Sequence, residues 1–487
     1  MASARPSRCR PRVGRLLALA AALSLALSPH AWAEGVGESR DAAFNAAVDA
    51  LASGDAAGAA RSAWTVLDGI SRDDKRYDRA VRLLAMSAEK LGLRYPASLW
   101  YLDIAEAKRD PALVPDALRG LERIVMGGPH DEDTVVAGFL ASAEHPNLPP
   151  EIQPFIDYLQ GLDNARHGLD AWAAARFARL PAASPYAARA LYVQAVQRVA
   201  ARKLPEASAA FEALLERENL PADVATDARR SLARLAFEAG RYDDALARYE
   251  AIRDHAPEDP ALILEMAWTQ FHRGDSRRAL GLLMALDAPI YADLIAPERY
   301  LLEALSLRRL CQFDAARIAA VRLRSRYGDA LSDLEAGVRP IASVPLRKAA
   351  RRRGESRTRS AFRASIEREL AWVSGHRRKL GAPLTAGLEQ ILRRGLDNAT
   401  QAEERALNGE VQQVAEELLQ ADEGVRLIQH ELAVALLRGR RRPDGPPEAP
   451  PVEVRASDRR TLFRFSGEFW TDELDDLVVT LEDRCVE

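Results

Sequence analysis

Seven histidines, His130, His145, His167, His255, His272, His376 and His430, are the side chains downstream of residue 33 best suited to ligate a metal or carry a proton. They are scattered singly. None has a histidine four residues away, the helical spacing that would put two imidazoles on one face, so each reads as a surface or satisfied histidine. The acidic stretch "DELDD" (472–476) offers carboxylates, but it lacks the glycine and the ligand spacing of a calcium loop and reads as a solvated turn or helix start. There is no Gly-rich phosphate loop ending in Gly-Lys-Ser or Gly-Lys-Thr, no His-Glu-x-x-His and no Cys-x-x-Cys. With no catalytic constellation, no metal site and no cofactor motif, the sequence is read as that of a protein that is not an enzyme.

What remains is recognition chemistry. Tyr158, Arg166, Tyr192, Arg230, Arg234, Phe237, Trp268, Phe271, His272, Arg308 and Arg309 recur at fixed distances from small residues further along the chain. Aromatic rings and arginines carry much of the energy of protein recognition, and a guanidinium clamps a carboxylate with two parallel hydrogen bonds. The plainer reading is that the rings pack and the arginines keep a helix face wet. Choosing between the two requires the element that holds them.

That element repeats. "FEAGRYDDALARYE" (237–250) is echoed 34 residues later by "FHRGDSRRALGLL", with Gly240 answered by Gly274 and Ala245 by Ala279. Small residues with a partner four positions on, mostly bulky, recur at Ala59, Ala97, Ala173, Ala207, Ala245, Ala279 and Ala316. The gap between Ala97 and Ala173 leaves room for one degenerate unit, where "ALVPDALRGLERIV" and "DEDTVVAGFLASA" read as two further helices. Each unit reads as two antiparallel helices joined at a left-handed residue such as Gly240 and closed by a proline such as Pro257. One pair has too little surface to bury its own apolar face, so pairs must stack, leaving the first helix of each on a concave wall. The candidate groove residues fall on those first helices.

These positions resemble the tetratricopeptide repeat, the 34-residue helix-turn-helix unit: Ala233, Gly240, Tyr242, Ala245, Tyr249, Ile252 and Pro257 stand where that motif wants small, Gly, aromatic, small, aromatic, apolar and Pro. The resemblance covers residues 40–330, is strongest over 151–330 and is diverged over 40–150. It implies an all-α, right-handed superhelix of stacked pairs. A narrower resemblance lies in "WTQFHRGDSRRALGLL", "CQFDAA" and the tail "SGEFWTDEL" with its near-terminal cysteine, which together are similar to exported repeat proteins of the myxobacterial gliding-motility class. That likeness implies a periplasmic part of an envelope-spanning assembly.

Around the repeats the chain is segmented. Residues 1–33 combine five arginines, the apolar run "LLALAAALSLALS" and the small-residue end "AWA", the pattern of a cleaved export signal. The run is shorter than the ~20 residues a membrane helix needs, so no integral span is expected after cleavage. Losing the five arginines takes 68 basic and 71 acidic residues to 63 and 71, a net charge of −8 that gives no electrostatic case for nucleic acid. Beyond the repeats, residues 340–438 read as a long helical hairpin. Leu407, Val411, Val414, Leu418, Ala421, Val425, Ile428, Leu432 and Ala435 alternate four and three apart, a seam for the preceding helix or for a second chain through 384–437. The basic run 347–359 reads as a solvated helix or connector. A Pro-rich linker (439–455) leads to an aromatic and acidic tail (456–487) that docks on the helices or on a partner. Cys311 and Cys485 form one disulfide or stay as two separate thiols.

The reading that follows is a periplasmic scaffold that binds segments of other envelope proteins in its groove, in gliding motility or in envelope trafficking and assembly. The alternatives are a peptidoglycan hydrolase or its accessory, and a structural protein that self-assembles through the heptad helix.

Overall fold

The computed structural model describes residues 33–68, 70–253, 259–288, 291, 296–437 and 478–485. Nearly all of the expected leader, the whole Pro-rich linker and most of the aromatic tail lie outside them. The fold is all-α. Two helical pairs open the described chain, α1 (Ala33–Ala52) with α2 (Ala56–Leu67) and α3 (Tyr77–Lys90) with α4 (Arg94–Ala107); α5 (Val114–Met126) then packs on α4, and a π-helix at Glu132–Leu140 lies against α4 and α6. Then come α6 (Gln153–Arg166) with α7 (Asp170–Phe177), α8 (Pro185–Ala200) with α9 (Leu204–Leu215), α10 (Ala222–Glu238) with α11 (Tyr242–Arg253), and α12 (Pro260–Arg273) with α13 (Ser276–Ala285). A last pair, α14 (Glu298–Arg309) and α15 (Phe313–Glu335), ends the array, and α16 (Val344–Ala350), α17 (Gly354–Gly375), α18 (Arg377–Leu380) and α19 (Ala382–Leu437) complete the described chain. The two helices expected in the gap are present, but the second is π rather than α and the two do not pack together as a pair.

One local rule builds the pairs. All seven anchor alanines, including the weakly marked Ala59 and Ala97, are fully buried. Five residues before each stands a backbone in the left-handed region: Gly54, Gly92, Gly168, Arg202, Gly240, Gly274 and Cys311, with φ from 53° to 103°. The reversal turns the chain so that the second helix drops its alanine against the first, and in five of the seven units a bulky residue four positions on follows it into the seam. Gly161 shows how close this is: a Cβ there would lie 2.5 Å from the Phe177 ring. Phe211 and Tyr249, in the same place in their units, are 0% and 2% exposed, worth ~1.5–3 kcal/mol each for an apolar side chain of that size.

The long helix does more than fold back as a hairpin. Its 56 residues give a rod about 84 Å long. Leu384, Leu388, Leu392 and Ala399 pack with Phe362, Ile366 and Val373 of α17, as a hairpin requires. Further on the seam changes partner: Leu407, Val411, Val414, Leu418, Ala421 and Val425 pack with Leu323, Tyr327, Leu331, Leu346 and Ala350 of α15 and α16. Trp64 of α2 and Tyr95 of α4 press on the helix at Gly387 and Gly395, where a Cβ would sit 2.3 and 2.1 Å from the rings. α19 therefore touches the first pairs and the last. The basic run is not merely solvated: Arg347 pairs with Glu404 at 2.8 Å, Arg351 with Glu403 at 3.3 Å and Arg353 with Glu417 at 2.6 Å, all on α19.

The chain's end is strapped to the array. Cys311 and Cys485 are joined as a disulfide. Arg277 donates to the carbonyl of Leu481 at 2.8 Å, and the Arg484 amide donates to the carbonyl of Leu310 at 3.0 Å. Val479 and Leu481 lie against the apolar cluster of Leu280, Leu307 and Leu310.

Three outcomes test this account. Gly240→Ala should cost about 1–2 kcal/mol in urea unfolding, all of it from the backbone, since nothing lies within 4 Å of the added Cβ; Arg202→Gly should be neutral or stabilising by up to about 1 kcal/mol. Cys485→Ser should lower the unfolding free energy by roughly 2–4 kcal/mol and open the segment around residue 480 to protease. The third concerns Glu369 of α17, which accepts from the amides of Arg94 and Tyr95 at the start of α4. Burial pushes its carboxyl up to about 7, against the pull of those amides. A raised carboxyl holds its proton in the folded state, so its stabilisation is complete below pH 4.5 and is lost as pH rises through 7. That loss amounts to roughly 3 kcal/mol. Glu369→Gln should melt like the parent at pH 4.5 and higher than it at pH 8.

Candidate protein-binding groove

α6, α8, α10, α12 and α14 are the first helices of successive pairs. α6 packs on α8, α8 on α10 and α12 on α14, whereas the second helices of successive pairs do not pack on one another to that extent. In stacked repeats the first helices line the inner wall. Every predicted groove residue stands on one of these helices, 15, 11, 8 or 7 positions before the anchor alanine of its unit.

Between α10 and α12 the aromatic residues form one continuous patch. The His272 ring is stacked between Tyr242 at 5.7 Å and Trp268 at 5.9 Å, with Phe237 and Phe271 edge-on at 5.3 and 5.5 Å. Such ring pairs add ~0.5–1.5 kcal/mol each beyond burial. Phe237, Trp268 and Phe271 are half-buried on the core below, and His272 is exposed. The patch thus has a packed underside and a face left to the groove. Upstream the rings are spent on packing: Tyr158 stacks on Tyr186 at 5.3 Å, and Tyr192 lies 5.6 Å from Phe211 with its hydroxyl 3.4 Å from that of Ser231.

The arginines are engaged within the chain. Arg230 pairs with Asp259 at 2.6 Å and with Glu265 at 2.8 Å, and Arg234 meets the same Glu265 at 2.6 Å. Burial alone would raise the Glu265 carboxyl; hydrogen bonds from Arg234 and Arg230 outweigh it and hold the group below its usual value. Arg166 pairs with Glu132 at 2.7 Å. Arg309 donates to the Phe271 carbonyl at 2.7 Å and lies 5.3 Å over its ring. Arg308 pairs with Glu431 of α19 at 2.9 Å, and Leu301 presses on α19 at Gly424. The expected arginine clamp for a partner's carboxylate is therefore filled by the protein's own carboxylates and carbonyls. From Leu301 onward the inner wall of α14 is covered by α19, while Glu298 at its first turn stays exposed, so the open groove runs from α6 to the first turn of α14.

Three groove residues escaped the sequence reading. Tyr242 opens a second helix, so a count along first helices passes it by. Asp227 and Glu298 each lie 18 positions before an anchor alanine, and extending the count by one turn finds both.

A family model described as tetratricopeptide repeat matches residues 236–293, the segment that carries the aromatic patch. No curated protein matches the chain. Among solved structures, a tetratricopeptide repeat protein from Parabacteroides merdae is similar at 15% identity, covering 60% of this chain and 94% of its own, with a TM-score of 0.26. The P58(IPK) TPR domain is similar at 12% identity over 83% of this chain and 99% of its own, with a TM-score of 0.19. The chain carries tetratricopeptide repeat, matched over 236–293 and set in a longer all-α array of stacked helix pairs closed by the long helix α19.

Proposed function

We propose that this protein is a non-enzymatic adaptor of the bacterial cell envelope. It is exported to the periplasm by its leader and holds a segment of another envelope protein against the inner wall between α6 and the first turn of α14. The machine it serves is one of gliding motility or of envelope trafficking and assembly. The observation that carries the reading is the patch of Phe237, Tyr242, Trp268, Phe271 and His272, because a monomer gains nothing by leaving so much ring surface half-open in a concavity. Tetratricopeptide repeats serve as scaffolds for protein–protein contact, which supports the same role. Among the described residues no helix is long and apolar enough to cross a membrane. Self-assembly through the heptad seam loses its basis, since Leu407 to Leu432 are spent within the chain on α14, α15 and α16.

The test is recovery of cross-linked neighbours from cells that express Trp268→Ala in place of the parent chain. Partner affinity should fall by at least ~30-fold, the mark of a hot-spot residue, while Trp172→Ala, which alters a tryptophan 67% exposed on α7, should leave recovery unchanged. Equal recovery from both variants would remove the groove from the account.

A further inference from the structure

The groove's arginines are paired, and its unpaired charges are negative. Asp227 at the start of α10 and Glu298 at the start of α14 occupy the same repeat position, on either side of the aromatic patch of α12. Both are accessible to solvent. Among the described residues neither has a cation at ion-pair distance, because the neighbouring arginines are taken: Arg189 by Asp223 at 2.7 Å, and Arg353 by Glu417 at 2.6 Å. Each carboxyl sits above its usual value. Burial is the main cause for both, followed by the charge of Asp223 for Asp227 and of Glu417 for Glu298. The Trp268 indole faces the Glu298 carboxylate and joins the acid to the rings. A group open to water yet poorly solvated, beside a second negative charge, gains most from an incoming cation.

We propose that the inner wall recognises an extended partner segment carrying two basic side chains, lysine or arginine, that flank an apolar or aromatic residue. The apolar residue lies on the Trp268 and His272 rings, and the basic residues meet Asp227 and Glu298. From α10 to α14 is two helix spacings, about 20 Å, which an extended chain covers in about six residues. This rests on the adaptor reading above and narrows it to one class of ligand, the reverse of the acidic segment that the arginines suggested.

The experiment is a fluorescein-labelled positional-scanning nonapeptide library titrated onto the full exported chain and followed by anisotropy. The parent should select lysine or arginine at two positions about six apart, with an apolar residue between, and binding should weaken steeply with added salt. The Asp227→Asn, Glu298→Gln double variant should lose the basic preference and at least tenfold in affinity while keeping the apolar one; its melting temperature, read alongside, should match the parent's. Selection of acidic residues, or of none, with binding still abolished by Trp268→Ala, would overturn the basic ligand and leave the groove standing. Binding no better than that of Trp268→Ala would overturn both.

Discussion

Everything in this molecule depends on a helix backbone being allowed to come close to its neighbour. The anchor alanines have no exposed surface at all, and at such positions one added methylene would separate the pair, since interiors packed to crystal density do not absorb it. The left-handed residue five places earlier exists to bring the alanine there. Glycine holds that position in five units without strain; Arg202 and Cys311 hold it in two at a cost of ~1–2 kcal/mol each on the left-handed penalty. Those two units keep their geometry because the surrounding packing over-determines it. Around Cys311 the disulfide and the strap add further restraint.

A stack of this kind is ordinarily one-dimensional: each pair feels only its neighbours, and the ends are loose. α19 removes that property. By touching α2 and α4 near one end and α14 and α15 near the other, it couples units that lie more than 200 residues apart in the sequence. The acidic face of α19 and the basic run 347–363 carry complementary charge, and Asp133 of the π-helix pairs with Arg359 of α17 at 2.6 Å and Arg405 of α19 at 2.9 Å. Exposed pairs of this kind contribute little one at a time. Their value is in register: a rod held by an apolar seam alone slides, and charges at fixed intervals stop it. The inner wall lies between two ends that α19 ties together, and such restraint lowers the ordering cost of binding a segment there.

The local rules were legible in the sequence and the long-range pairings were not. Ala245 and Ala279 announce their units, and even Ala59, the weakest match, marks a true helix pair, because the rule involves residues within one unit. The seam from Leu407 to Leu432 was equally visible. Its partner was not, because apolar spacing states that a face is buried without saying against what. The segment 132–140 reads as an ordinary helix in the sequence and folds as a π-helix. The same limit applies to the groove. Rings could be placed by counting, but whether an arginine is free depends on carboxylates such as Glu265 and Glu431 that reach it from other helices.

A charge along a groove counts toward recognition only when folding leaves it unpaired. Arg230 and Arg234 read as a carboxylate clamp, and in the folded chain a clamp is what they are, closed on Glu265. A partner's carboxylate would have to displace a partly buried acid already held by two guanidinium groups, and leaving that acid unpaired costs more than an exposed ion pair returns. A lysine approaching Asp227 or Glu298 displaces only water from carboxylates that solvate poorly. Recognition on this surface follows from which charges folding has left unspent, and those are acids beside rings.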